Sequence, residues 1–186
     1  MTNLYVATRI VTFFGAYVRT FWEHVACRMA GVPAEDVRAF KSSEMCGHVD
    51  HAILDNLKQS VIMCLFPFTM NFILGSCMLM TGSYSLFYVG NTGSVQSYVL
   101  VWVGFSLLAN CAPSFEDALC FKDYLYSRKG KVIKVLLSPA FGVVYSMAYI
   151  ERYSITFVLA ALYTVFFPWI CNIFFPAFQY ISEALR

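Results

Sequence analysis

Arg19-Thr20-Phe21-Trp22-Glu23-His24-Val25-Ala26-Cys27-Arg28 closes a long apolar segment, yet carries two arginines, a glutamate and a histidine. Ionisable groups on an apolar helix are costly in lipid, by roughly 3 kcal/mol or more each at mid-bilayer. They are kept where they line a protein interior, pair with one another, bind something, or reach the membrane interface. Arg19 and Glu23 stand four apart and share a helix face. The segment around them runs from about Asn3 to Ala30, and Gly31 and Pro33 stop it. Its length of ~42 Å at 1.5 Å per residue crosses a bilayer with some tilt.

Composition points to the same solvent. The 186 residues are 59% hydrophobic, 18% aromatic and 13% charged, with mean hydropathy +0.63. A soluble domain is about 45–50% apolar and about 25% charged. One small core cannot hide the excess, so a bilayer is the natural surrounding. A net charge of +2 and the lack of a basic array with interleaved aromatics argue against nucleic acid. The seven cysteines lie mostly in apolar runs and read as small core residues. No C-x-x-C and no N-x-S/T occurs. Residues 1–22 lack the pattern of a cleaved signal peptide and read as part of the mature fold.

Beyond the first segment, residues 31–57 form a polar insertion that fits either two short strands or an irregular loop, with Val37-Arg38-Ala39-Phe40 and part of Gly47-His48-Val49-Asp50 alternating. Apolar segments follow at roughly 58–80, 97–112, 132–150 and 154–178. A Gly/Ser/Thr/Asn-rich loop spans 81–96, and a basic stretch with Lys122, Arg128, Lys129, Lys131 and Lys134 spans 119–134. Pro67 should kink the second segment, and Asn71 needs a partner within the bundle. The expected fold is an all-α integral membrane protein: a polytopic bundle of four to five transmembrane helices in one domain, with a small polar insertion. With five crossings, nearly all basic residues fall on one side, and Arg152, with Arg9 the next nearest, falls near the other. The positive-inside rule then puts the basic loops in cytoplasm or mitochondrial matrix.

Three polar groups are candidates to meet in space: Arg19, Glu23 and His24; His48, Asp50 and His51; Asn110, Glu116 and Asp117. No G-x-S-x-G is present, no serine has an evident base beside it, and the three histidines all lie early, against a late-helix Ser–His pair or a bis-His heme.

Four short texts then fall into a familiar order: Ala26-Cys27-Arg28-Met29-Ala30-Gly31-Val32, Gly47-His48-Val49-Asp50-His51, Pro67-Phe68-Thr69-Met70-Asn71 and Pro113-Ser114-Phe115-Glu116-Asp117-Ala118. Over residues from about 15 to 120 this resembles the site-2-type intramembrane zinc metalloproteases, a small prokaryotic-like group in particular. The resemblance implies the fold and argues against the activity. Its H-E-x-x-H histidines fall on Arg19 and Glu23 and its general-base glutamate on Thr20, leaving only Asp117 as an implied third ligand. Arg19 cannot ligate a cation, and Thr20 cannot serve as base near neutral pH. The chain then reads as a pseudoprotease with no catalytic residue and no cofactor.

In place of a metal, two arrangements of the charges are open. In one, the Arg19 guanidinium holds Glu23 and Asp117 in a structural salt-bridge cluster across helices. In the other, Arg19 snorkels and Glu23 pairs along its own helix. The metal-active alternative is an intramembrane protease binding zinc through a shifted set, His24, His48 or His51, and Asp117, with Glu23 as base. Neighbours such as Glu23 and His24 point about 100° apart on a helix, which disfavours it. The expected role is that of an accessory or structural subunit, in contact with lipids and other membrane subunits. By analogy with small respiratory and ATP-synthase subunits, the mitochondrial inner membrane is the expected setting. A carrier or channel would need a continuous polar path that segments four and five do not offer.

Overall fold

The computed structural model describes residues 2–37, 47–88, 90, 92–127, 131–151 and 153–184. The expectations placed on Arg38, Ala39, Phe40, Arg128, Lys129 and Arg152 lie outside them. Among the described residues the chain is mostly helical: α1 (Thr2–Val11), α2 (Phe13–Ala30), α3 (Leu57–Ser83), α4 (Val95–Ala109), α5 (Phe115–Ser127), α6 (Lys131–Glu151) and α7 (Ile155–Ala184). Strands β1 (Ala34–Val37) and β2 (Val49–His51) pair antiparallel, with Ala34 opposite His51 and Val37 opposite Val49. Two short strands are present in the insertion, with β1 ending at Val37, where the expected alternating stretch begins.

The first apolar segment is two helices, not one. Thr12 leaves helical geometry at φ −106°, ψ 36°. Its carbonyl accepts from Ser106 Oγ at 2.9 Å and from Asn110 Nδ2 at 3.2 Å, both on or beside α4. That carbonyl also keeps its bond from Ala16 N at 3.2 Å, while the Gly15 N–H beyond the break donates to Ser106 Oγ at 2.8 Å. Gly31 ends α2 as expected. It sits in the left-handed region at φ 68°, and Val32 N donates back to Cys27 O at 2.9 Å, a closure that favours glycine.

The second segment is longer than its composition suggested. α3 runs on through Pro67 to Ser83 and continues as a π-helical turn, Tyr84–Tyr88, into what read as a polar loop. Gly82 and Ser83 there are buried in helix packing rather than set in a turn. An added Cβ on Gly82 would lie 2.8 Å from Ser97 O, and one on Gly104 2.8 Å from Gly75 O. Small residues thus let α3 and α4 approach closely. α5 was read only as a basic stretch. Ser114 starts it, its Oγ accepting from Asp117 N at 3.1 Å, a cap signalled by Ser-x-x-Asp.

Three apolar clusters join these helices. Cys64, Phe121 and Val144 bring α3, α5 and α6 together. Cys27, Val49, Leu54 and Met63 seat the insertion on α2 and α3. Leu79, Leu108 and Ala160 join α3, α4 and α7. Leu57–Phe87, 31 residues long with an 18-residue window of mean hydropathy 1.8, is long and apolar enough to cross a membrane. α6 and α7 meet that test only together, as one unit bent by 110° at the break after Glu151, and α4 is apolar but shorter.

Candidate functional site

A buried ionic network occupies the place where α1, α2, α4, α6 and the insertion meet. Helical spacing puts Arg19 and Glu23 on one face of α2, and Arg19 Nε donates to Glu23 Oε1 at 2.9 Å. The second carboxylate comes from the end of α6, where Arg19 Nη1 donates to Glu151 Oε1 at 2.7 Å. Arg9 of α1 also donates to Glu151 Oε1, and through Nη1 to Asn110 Oδ1. The Arg9 guanidinium carbon lies 4.8 Å from the centre of the Tyr5 ring, a cation–π distance. Arg19 is 1% exposed, and Arg9, Glu23 and Glu151 are each 4% exposed.

His48, just before β2, completes the network. Its Nδ1 lies 3.1 Å from Arg19 Nη2 and 3.0 Å from Glu23 Oε1. A single ring nitrogen serves one of them at a time. Without a proton Nδ1 accepts from Arg19; with a proton, in the neutral Nδ1–H tautomer or the imidazolium, it donates to Glu23. With His48 neutral, two guanidinium groups face two carboxylates and the network carries no net charge. Glu23 Oε2 also accepts from Val49 N at 2.8 Å, which binds β2 to α2.

The sequence-based cluster is therefore half corrected. Arg19 does hold Glu23, but its second carboxylate is Glu151 rather than Asp117. Asp117 Oδ1 pairs instead with His51 Nε2 at 2.9 Å, because Ser114 caps α5 and turns that first turn toward the insertion. Glu151 falls in the short break between apolar segments, where a lone acid at the end of an apolar run is its only sequence signal. Arg9, read as lying near the far side, is inside the network. Asn110, already a candidate, carries more than expected, since its carbonyl also accepts from Asn71 Nδ2 at 3.1 Å.

The degenerate motif positions do not fit zinc. Thr20 is buried and its hydroxyl donates to Ala16 O at 2.8 Å, within its own helix. Arg19 fills an implied ligand position, and a divalent ion there would face two guanidinium groups. Of the shifted set, His51 and Asp117 are brought together at 2.9 Å, whereas His48 is in the Arg19 network and His24 Nδ1 is buried without a partner. Among the described residues no group of three or more His, Cys, Asp or Glu is placed to hold a metal.

The His51–Asp117 pair borders a second feature, a cavity of ≈ 340 Å³ between the insertion and α5, lined also by Glu35, Asp50, Glu116 and Cys120. His51 Nδ1 lies 2.8 Å from Ala52 O, so both ring nitrogens face acceptors and both donate. The hydrogen bond to Asp117 outweighs burial and raises the imidazole pKa to about 9. Comparison with protein-family models, curated proteins and solved structures returns no match.

Proposed function

We propose that this chain is a polytopic membrane protein without a catalytic centre of its own, and that it serves as an accessory or structural subunit of a larger membrane complex. The observation that carries this reading is an inverted distribution of polarity. Arg9, Arg19, Glu23 and Glu151 face inward and neutralise one another, while Phe13, Tyr17, Phe21, Val135, Leu136, Phe166 and Trp169 face outward. A water-soluble domain hides apolar groups and exposes charges; lipid reverses that preference.

The same network supports the pseudoprotease reading. Each guanidinium nitrogen of Arg19 is bonded to a protein group, so its charge is committed to holding elements together. On this reading α1–α2, α3, α4, α6 and α7 make four to five membrane segments, the partners are lipids and other membrane subunits, and the basic loops face the matrix of the mitochondrial inner membrane. Two fractionations test it. The chain should stay in the membrane through alkaline carbonate extraction, and migrate on native gels in a complex far larger than 21.1 kDa. Release by carbonate, or migration as a monomer from its native membrane in mild detergent, would overturn it.

A further inference from the structure

Arg9 and Arg19 both donate to one oxygen of Glu151, Oε1, and His48 Nε2 lies 3.6 Å from the same atom. The other oxygen, Oε2, has no protein partner among the described residues, although Glu151 is buried. Beside it lies a cavity of ≈ 10 Å³, lined by Tyr5, Arg9, Thr12, Glu151, Ser154 and Thr156 among others. Ser154 and Thr156 are 7% and 4% exposed, and neither hydroxyl bonds a described protein group. Three buried residues, each with an oxygen that bonds no described protein group, thus line one small space.

Ser154 gives an independent sign that its hydroxyl is used. It occupies the left-handed region at φ 59°, where a side chain is strained and glycine would be cheaper. Its carbonyl accepts from Phe157 N at 3.2 Å as α7 begins, but its hydroxyl does not cap the helix, the usual reason for serine at such a position. The side chain therefore accounts for neither the turn nor the cap.

We propose that one water molecule occupies this cavity, donating to Glu151 Oε2 and bridging it to the hydroxyls of Ser154 and Thr156. The volume suits a single molecule, since roughly 10–15 Å³ measured in this way is the least that holds one, and such waters take two to four polar partners. A metal cation would sit against Arg9, which is bonded to the same carboxylate, so the neutral ligand is favoured. The water completes the ionic network at the α6–α7 corner and makes that corner its hydrated end. The inference does not depend on the proposed role of the chain.

A structure of the full chain in lipid nanodiscs, at a resolution that shows ordered water, tests it directly. The expected result is one solvent peak within hydrogen-bond distance of Glu151 Oε2 and at least one of the two hydroxyls. An empty cavity, a metal ion, or hydroxyls bonded directly to protein would overturn it. Unfolding gives a second reading. Thr156→Val should lower Tm by about 2–4 °C, the loss of one hydrogen-bonding group in a chain of this size. Thr164→Val, which removes a hydroxyl bonded to its own helix at Ala160 O, should lower it less. Equal shifts would count against the bridging water.

Discussion

Arg19 and Glu151 lie 132 residues apart in the chain and 2.7 Å apart in the fold. That pair ties α2 to the corner between α6 and α7, and Arg9 and His48 reach the same carboxylate oxygen from α1 and the insertion. A single acid therefore gathers four elements.

Glu151→Gln should be among the most damaging single substitutions in the chain. It leaves two buried guanidinium groups facing one remaining carboxylate, and breaking a buried pair in this way costs about 3–5 kcal/mol. Urea or thermal unfolding in detergent measures the loss. Adding Arg19→Met to Glu151→Gln should cost clearly less than the sum of the two single changes, because the second removes a charge that the first leaves unpaired. Additive losses would mean that the two residues act independently.

The His51–Asp117 bond should make the anchoring of the insertion pH-dependent. The histidine pKa is raised to about 9, above the ordinary value of about 6.5. The stability it contributes is therefore complete below about 6.5 and is lost as pH rises through about 9. Imidazole nitrogen shifts followed by NMR should report this titration, with amide exchange at Val49–His51 quickening over the same range. In Asp117→Asn the titration should move downward. A His51 that titrates near 6.5 in the native chain would refute the pairing.

How much of this was legible follows from where the signals lie. Arg19 and Glu23 were readable as a same-face pair because helical spacing is local. Gly31 as a helix stop was readable for the same reason, whereas the insertion fitted strands or a loop equally, because strand pairing joins Ala34–Val37 to the distant Val49–His51. Glu151 was not, since its partners come from remote elements and no local pattern announces them. The break at Thr12 has a similar cause: hydrogen bonds from Ser106 and Asn110 reach it from α4, while its own sequence has no glycine or proline there to signal a stop. α3 ran past its expected end because Gly82 and Ser97 are packing residues in a helix pair, although their composition is that of a turn.

Close helix packing gives a further test, between α2 and α4. An added Cβ on Gly15 would fall 1.9 Å from Ser106 O, whereas one on Gly142 meets nothing within 4 Å. Gly15→Ala should destabilise by about 1–3 kcal/mol through forced separation of α2 and α4. Gly142→Ala, within α6 and in open space, should be neutral or raise stability by up to about 1 kcal/mol. Thermal unfolding of the two variants side by side reads the difference. Equal effects would show that α2 and α4 are not in close contact.

The account turns on a guanidinium, rather than a metal, holding the centre of this fold. Elemental analysis of the intact chain, purified from its native membrane in mild detergent without chelator, tests that most directly. The prediction is zinc far below one equivalent per chain, unchanged in His51→Ala and Asp117→Asn. One zinc per chain, lost in either variant, would contradict it and restore the protease reading.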